Sequence, residues 1–291
     1  MSLPAGVLAL FLALASTLPV YAAASSSDAD QAAPVAAVPG KGSLGPLIFI
    51  SQTLNNCGPS SVAEVLNYWG IQRSQGQVQA VLRADGNPNG MAPFGIPAYA
   101  RGLGMSVLMG AGGTDALVKA LVSGGFPVIV SQWVSLSDHY GHYRPIEAYD
   151  DAAGVFVSSD PYLGPNHAIG YEEFDKIWAS NNNRFYVLYP PAKQAQIDGI
   201  VSSVGWDPAS AYMADIAVQQ ARLAGGQTNG PQGWSFRRGY SALSMAWDNL
   251  QLGDIAAAQR ALAFAQAQGA SPVVTGWVAD EIRLKSGSPS A

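Results

Sequence analysis

The chain has 291 residues, of which 48% are hydrophobic and 12% charged, with a single cysteine and a formal net charge of −5. This balance excludes a disordered polypeptide and leaves length for a catalytic-sized domain with a smaller companion. An acidic chain without a lysine or arginine run offers no electrostatic basis for binding nucleic acid, and one cysteine excludes both an internal disulfide and a cysteine-built zinc site.

Met1 to Ala24 carry no charged side chain, and the apolar run Val7 to Leu14 is followed by Pro19-Val20-Tyr21-Ala22. A signal peptide over residues 1–22 is expected, which makes the protein secreted or extracytoplasmic. The first basic residue is Lys41, so an uncleaved membrane anchor is the alternative. Residues 23–45, rich in alanine, serine, proline and glycine, read as a flexible linker.

The lone Cys57 stands in Gln52-Thr53-Leu54-Asn55-Asn56-Cys57-Gly58-Pro59. Behind it Val62, Ala63, Val65, Leu66 and Trp69 repeat at helical spacing, and Pro59 suits a first helical turn, where its missing N–H has no intrahelical partner. Cys57 therefore falls at or beside a helix start, where free amides and the helix dipole favour an anion and lower a thiol pKa from about 8.5. Free cysteine is also a common buried filler, so the nucleophile reading needs partners. Gln52, on the segment turning into this helix, can hold an oxyanion together with the Cys57 amide.

Further along, helices are expected over Gln75 to Arg83, Pro93 to Gly102 and, capped by Thr114, up to Gly124-Gly125. Strands are expected at Gly104 to Met109 and, apolar almost throughout, Phe126 to Trp133. His142 opens a strand ending at Asp150, and Val155 to Ser159 returns as a hairpin that delivers Asp160. His142 is thus the expected base and Asp160 the group that orients it. His139 is the competing base and His167 a surface-loop residue. Trp133, Tyr143 and Tyr162 are candidate substrate-binding residues, since peptide clefts are largely apolar with a few placed polar groups.

These residues resemble the papain-like cysteine peptidases of the bacteriocin-processing, double-glycine-peptidase-like family, in its secreted stand-alone branch. The resemblance rests on Gln52 with Cys57-Gly58-Pro59-Ser60-Ser61, Leu103-Gly104-Met105, Gly124 to Val130, Gly141-His142-Tyr143 with Tyr149-Asp150, and Asp160-Pro161 followed by Phe174 and Trp178. It implies an α+β fold of bacterial peptidase type, in which the cysteine helix packs against a mostly antiparallel sheet carrying the histidine and aspartate. In that family the matching positions are oxyanion residue (Gln52), nucleophile (Cys57), base (His142) and orienting acid (Asp160). Arg144, Pro145 and Glu147 depart from the family's apolar segment after the histidine, which suggests an edge strand or a bulge. The peptidase-like domain is expected over residues 46–191.

Residues 192–291 change to alanine-rich helical patterns at Ala209 to Ala224, Ser235 to Leu252, Ile255 to Ala267 and Val273 to Leu284. One pair resembles a tetratricopeptide hairpin, expected to pack on the catalytic domain, with a protein partner as the other possibility. The expected function is an exported cysteine peptidase or amide hydrolase on a peptide or protein substrate, without metal or organic cofactor. The alternatives are an acyltransferase through the same thioester and a non-catalytic binding module.

Overall fold

The computed structural model describes residues 38–225 and 238–287. The expected signal segment 1–22 lies outside these residues. Among the described residues no helix is long and apolar enough to cross a membrane. The expected linker 23–45 ends in a short strand, β1 (Lys41–Ser43), so its last residues are sheet rather than spacer.

Helix α1 (Cys57–Tyr68) begins on the cysteine and buries Val62, Ala63, Val65 and Leu66; Gly70, at φ +81°, ends the turn after it. Helix α2 (Gln75–Leu82) starts with a capping box between Ser74 and Gln77. A 3₁₀ turn (Pro93–Gly95) leads into α3 (Ile96–Gly102), then β2 (Ser106–Gly110), and Thr114 caps α4 (Asp115–Ser123). Next come β3 (Val128–Trp133), β4 (Gly141–Asp150), β5 (Val155–Asp160), β6 (Gly164–Gly170), α5 (Tyr171–Ala179) and β7 (Arg184–Tyr189). Helices α6 (Gln194–Ser203), α7 (Pro208–Ala224), α8 (Arg238–Gln251), α9 (Ile255–Ala267) and α10 (Pro272–Lys285) complete the described chain.

The sheet runs β2-β7-β3-β4-β5-β6, with β1 added to β4, and its pairings are antiparallel. The fold is α+β, with the cysteine helix against an antiparallel sheet, as the resemblance implies. Alternation along β3 and β7 feeds two cores. Ile129, Tyr186 and Leu188 pack with α1 to α3 and α8 to α10, whereas Val128, Val130, Phe185 and Val187 pack with α4 to α6. A sheet covered on both faces explains why β3 reads as apolar throughout.

Strand β4 is central, not an edge. Its first half, to Ile146, pairs with β3, its last three residues pair with β1, and the β5 register shifts between Ile146 and Ala148. Glu147 occupies that bulge, where its backbone oxygen accepts from Leu44 N–H (2.9 Å) and its carboxylate accepts from Leu47 N–H (2.8 Å). The acid that interrupts the apolar pattern thereby ties down the entering chain.

The C-terminal helices share a core with α1. Leu243, Ala246, Leu262, Val274 and Val278 lie in one buried cluster with Val62, Leu66 and Phe94. Arg101 and Glu281 add an ion pair at 2.7 Å between α3 and α10.

Candidate active site

Cys57 is the first residue of α1 and 8% exposed. Asn56 precedes the helix but makes no side-chain cap; its amide instead donates to Gln75 Oε1 at 2.7 Å. With no side chain capping it, the Gly58 N–H is left for the sulfur, and the Tyr143 N–H reaches it as well. Burial pushes the thiol pKa up, but a hydrogen bond and charge interaction with His142, helped by those amides, bring it below its ordinary value.

His142 sits near the start of β4 and is 2% exposed. Its Nε2 lies 2.9 Å from Asp160 Oδ1, which leaves Nδ1 for the hydrogen bond with the thiol. Burial opposes the charged ring, yet Asp160 and Cys57 outweigh it and raise the imidazole pKa. Opposite shifts on the thiol and the ring favour a thiolate–imidazolium pair.

Asp160 is fully buried at the end of β5, and its Oδ1 also accepts from Tyr162 N–H (2.8 Å) and Leu163 N–H (2.9 Å). Burial alone would raise its pKa; His142, Arg144 and these amides hold it well below the usual carboxylate range. Arg144, also fully buried, places Nε 3.0 Å from Asp160 Oδ2. The N–H does not point along that line, so the contact is ionic rather than a formed hydrogen bond. Arg144 Nη2 donates to Val134 O at 2.7 Å, which anchors the guanidinium.

Gln52 lines one open cleft with Cys57 and His142, a space of about 400 Å³. Its backbone N–H donates to Pro161 O (2.9 Å), tying the glutamine to the residue after Asp160. Gln75 clamps the same segment: its Oε1 accepts from Thr53 N–H (2.8 Å) and its amide donates to Ser51 O (2.6 Å). This clamp was not legible in sequence, because a helix-start glutamine is ordinarily a solvated residue.

Of the three candidate substrate residues, Tyr162 is exposed on the Gln52 cleft, its ring edge-on to His142 at 6.4 Å. Tyr143 is buried and lines a second, smaller cavity of about 80 Å³ that also reaches Cys57. Trp133 lines neither cleft; it stacks on His139 at 3.8 Å. His139 Nε2 also contacts Leu136 O at 2.9 Å, while the histidine bonded to the thiol is His142. His167 is on strand β6, paired with Ser158, rather than in a loop.

Residues 46–185 match the model of the Peptidase_C39 like family. This segment belongs to that family. The Peptidase_C39-like segment holds Cys57, His142, Asp160 and Gln52 together, while α6 to α10 lie beyond it. Two solved structures are similar at low identity. A double glycine motif protease from an AMS/PCAT transporter, in complex with the leader peptide, is 20% identical (TM-score 0.41), covering 51% of this chain and 94% of that one. The peptidase domain of Streptococcus ComA, a bi-functional ABC transporter involved in a quorum sensing pathway, is 19% identical (TM-score 0.41), covering 49% and 97%. No curated protein matches the chain.

Proposed function

We propose that the protein is an exported cysteine peptidase that hydrolyses peptide amides, with Cys57 as nucleophile, His142 as acid and base, Asp160 orienting the ring and Gln52 in the oxyanion hole. The observation that carries this is a single imidazole hydrogen-bonded to Cys57 on one side and to Asp160 on the other, at the wall of an open cleft. Family membership of residues 46–185 supports it, and the apolar N-terminal run supports export.

The thiolate attacks the scissile carbonyl carbon, and the electron pair moves to the oxygen, which the Gln52 amide and the Cys57 N–H receive. Collapse breaks the C–N bond while imidazolium gives its proton to the leaving amine, leaving a thioester. Water then attacks as His142 takes its proton, and loss of the acid product restores the ion pair. Asp160 stays ionised throughout, stabilising imidazolium.

The test is digestion of a broad peptide mixture, read by mass spectrometry, with wild type and Cys57→Ala. New amide cleavages with wild type alone are expected. Identical peptide maps from both proteins would overturn the reading.

A further inference from the structure

The cavity on the α8 side of Cys57 contains a cation that hydrolysis does not use. Arg184, first residue of β7, is 4% exposed and lines this cavity together with Cys57. Its Nη2 donates to Asp215 of α7, and among the described residues the guanidinium forms no other hydrogen bond. Nε and Nη1 are not among the sealed, unpartnered atoms of the core, as they are for Arg144 Nη1, so one edge of the fork keeps open surface. Asp248 forms no ion pair with it among the described residues, and burial and the neighbouring Asp215 push that carboxyl's pKa well up. One ionised carboxylate therefore faces one edge of a planar five-donor group.

The lining of this cavity mixes apolar and neutral polar side chains around that one cation. Met91, Phe94 and Tyr143 supply its apolar part, Asn87, Asn89 and Asn181 its amides, and α8 adds Tyr240 and Ser244. Arg184 is the one charged residue in this lining, so the occupant that uses it best has a hydrocarbon stem and an acceptor end. A carboxylate meets the open fork with both oxygens, whereas an amide would turn its N–H₂ toward donors.

Resting on the peptidase reading above, we propose that this cavity is a substrate-selectivity pocket that takes an acidic, glutamate-like side chain, with Arg184 as its recognition residue. Because Tyr240 and Ser244 lie beyond the family-matched segment, the C-terminal helices build part of the specificity of the site.

The test is a panel of peptides around one cleaved bond, with Glu, Gln and Leu placed at each position in turn. At one position Glu should exceed Gln and Leu by about 10- to 100-fold in kcat/KM, the range for a hydrogen bond to a charged partner. Arg184→Gln should abolish that ratio. Since it also strips Asp215 of its partner, Ser244→Asp provides a second variant that leaves the ion pair in place. A carboxylate on the same wall should lower the Glu-to-Leu ratio by about tenfold or more. Cleavage with no preference for Glu at any position overturns the pocket while leaving the peptidase intact. If no peptide in the panel is cleaved, protection of Cys57 from iodoacetamide by the same peptides decides it. Stronger protection by the Glu peptide supports the pocket and equal protection by Glu and Leu peptides refutes it, while loss of hydrolysis counts against the peptidase reading.

Discussion

Arg144 Nε stands 3.0 Å from Asp160 Oδ2, with both side chains fully buried, so the acid that faces His142 is itself held by a cation on the same strand as the histidine. Cys57, His142, Asp160 and Arg144 form a chain of alternating charge once the thiol ionises. A buried pair of this kind costs desolvation, and breaking it by removing one partner costs about 3–5 kcal/mol.

Arg144→Met is therefore expected to lower unfolding stability by about that amount. It should also move the pH profile of kcat/KM. Without the cation the thiolate is less favoured and imidazolium more favoured, so the Cys57 and His142 pKa values both rise and both limbs shift to higher pH. A purely structural residue would lower the whole curve without displacing it.

Gln52→Ala should reduce kcat by about 10²- to 10³-fold with little change in KM, the loss typical of one oxyanion donor. Gln75→Ala should produce a smaller loss of the same kind, because Gln75 fixes the backbone at Ser51 and Thr53 without touching the reacting atoms. Steady-state kinetics on one peptide separates the two.

The cysteine helix, the Thr114-capped helix, the β4–β5 hairpin and the four C-terminal helices were legible because each carries its own signal. For α1 this is helical spacing behind Gly58-Pro59, for α9 the alanine-rich run Ile255 to Ala267. Strand β6 was not legible. Its sequence Gly164-Pro165-Asn166-His167-Ala168-Ile169-Gly170 has loop chemistry and becomes a strand only by pairing with β5. Pro145 sits opposite Ile129 in the β3 ladder, one residue before the β4–β5 pairing begins at Ile146 and beside the bulge at Glu147. Arg144 was visible as an intruder in an apolar segment, but its partner comes from the next strand and only the fold reveals it. Arg184 gave no signal at all, since its partner Asp215 comes from α7 and the neighbouring cavity wall from α8, both far along the chain.

Glu64 on α1 is fully buried, with its pKa pushed up to about 8 chiefly by desolvation; its carboxyl accepts from Ile50 N–H at 2.8 Å. The folded state thus holds a proton that the unfolded chain releases near its ordinary value of 4.5. This contribution to stability is complete below that value and declines as pH rises toward about 8. Glu64→Gln keeps the acceptor for Ile50 and removes the titration, so urea unfolding should lose part of its decline across this window.

Gly95 meets the Trp277 ring of α10: a Cβ there would lie 2.9 Å from it. Gly95→Ala should cost about 1–3 kcal/mol by overpacking. The cost should shrink in a Trp277→Ala background, which thermal unfolding of the four proteins in the double-mutant cycle would show.

The most direct test of the central claim is the rate of Cys57 alkylation by iodoacetamide as a function of pH, in wild type and in His142→Ala. The account predicts rapid labelling of wild type at mildly acidic pH, and a His142→Ala rate that falls there and follows a thiol titrating at or above the ordinary value of about 8.5. Wild type labelling along that same ordinary curve, unchanged by His142→Ala, would contradict it.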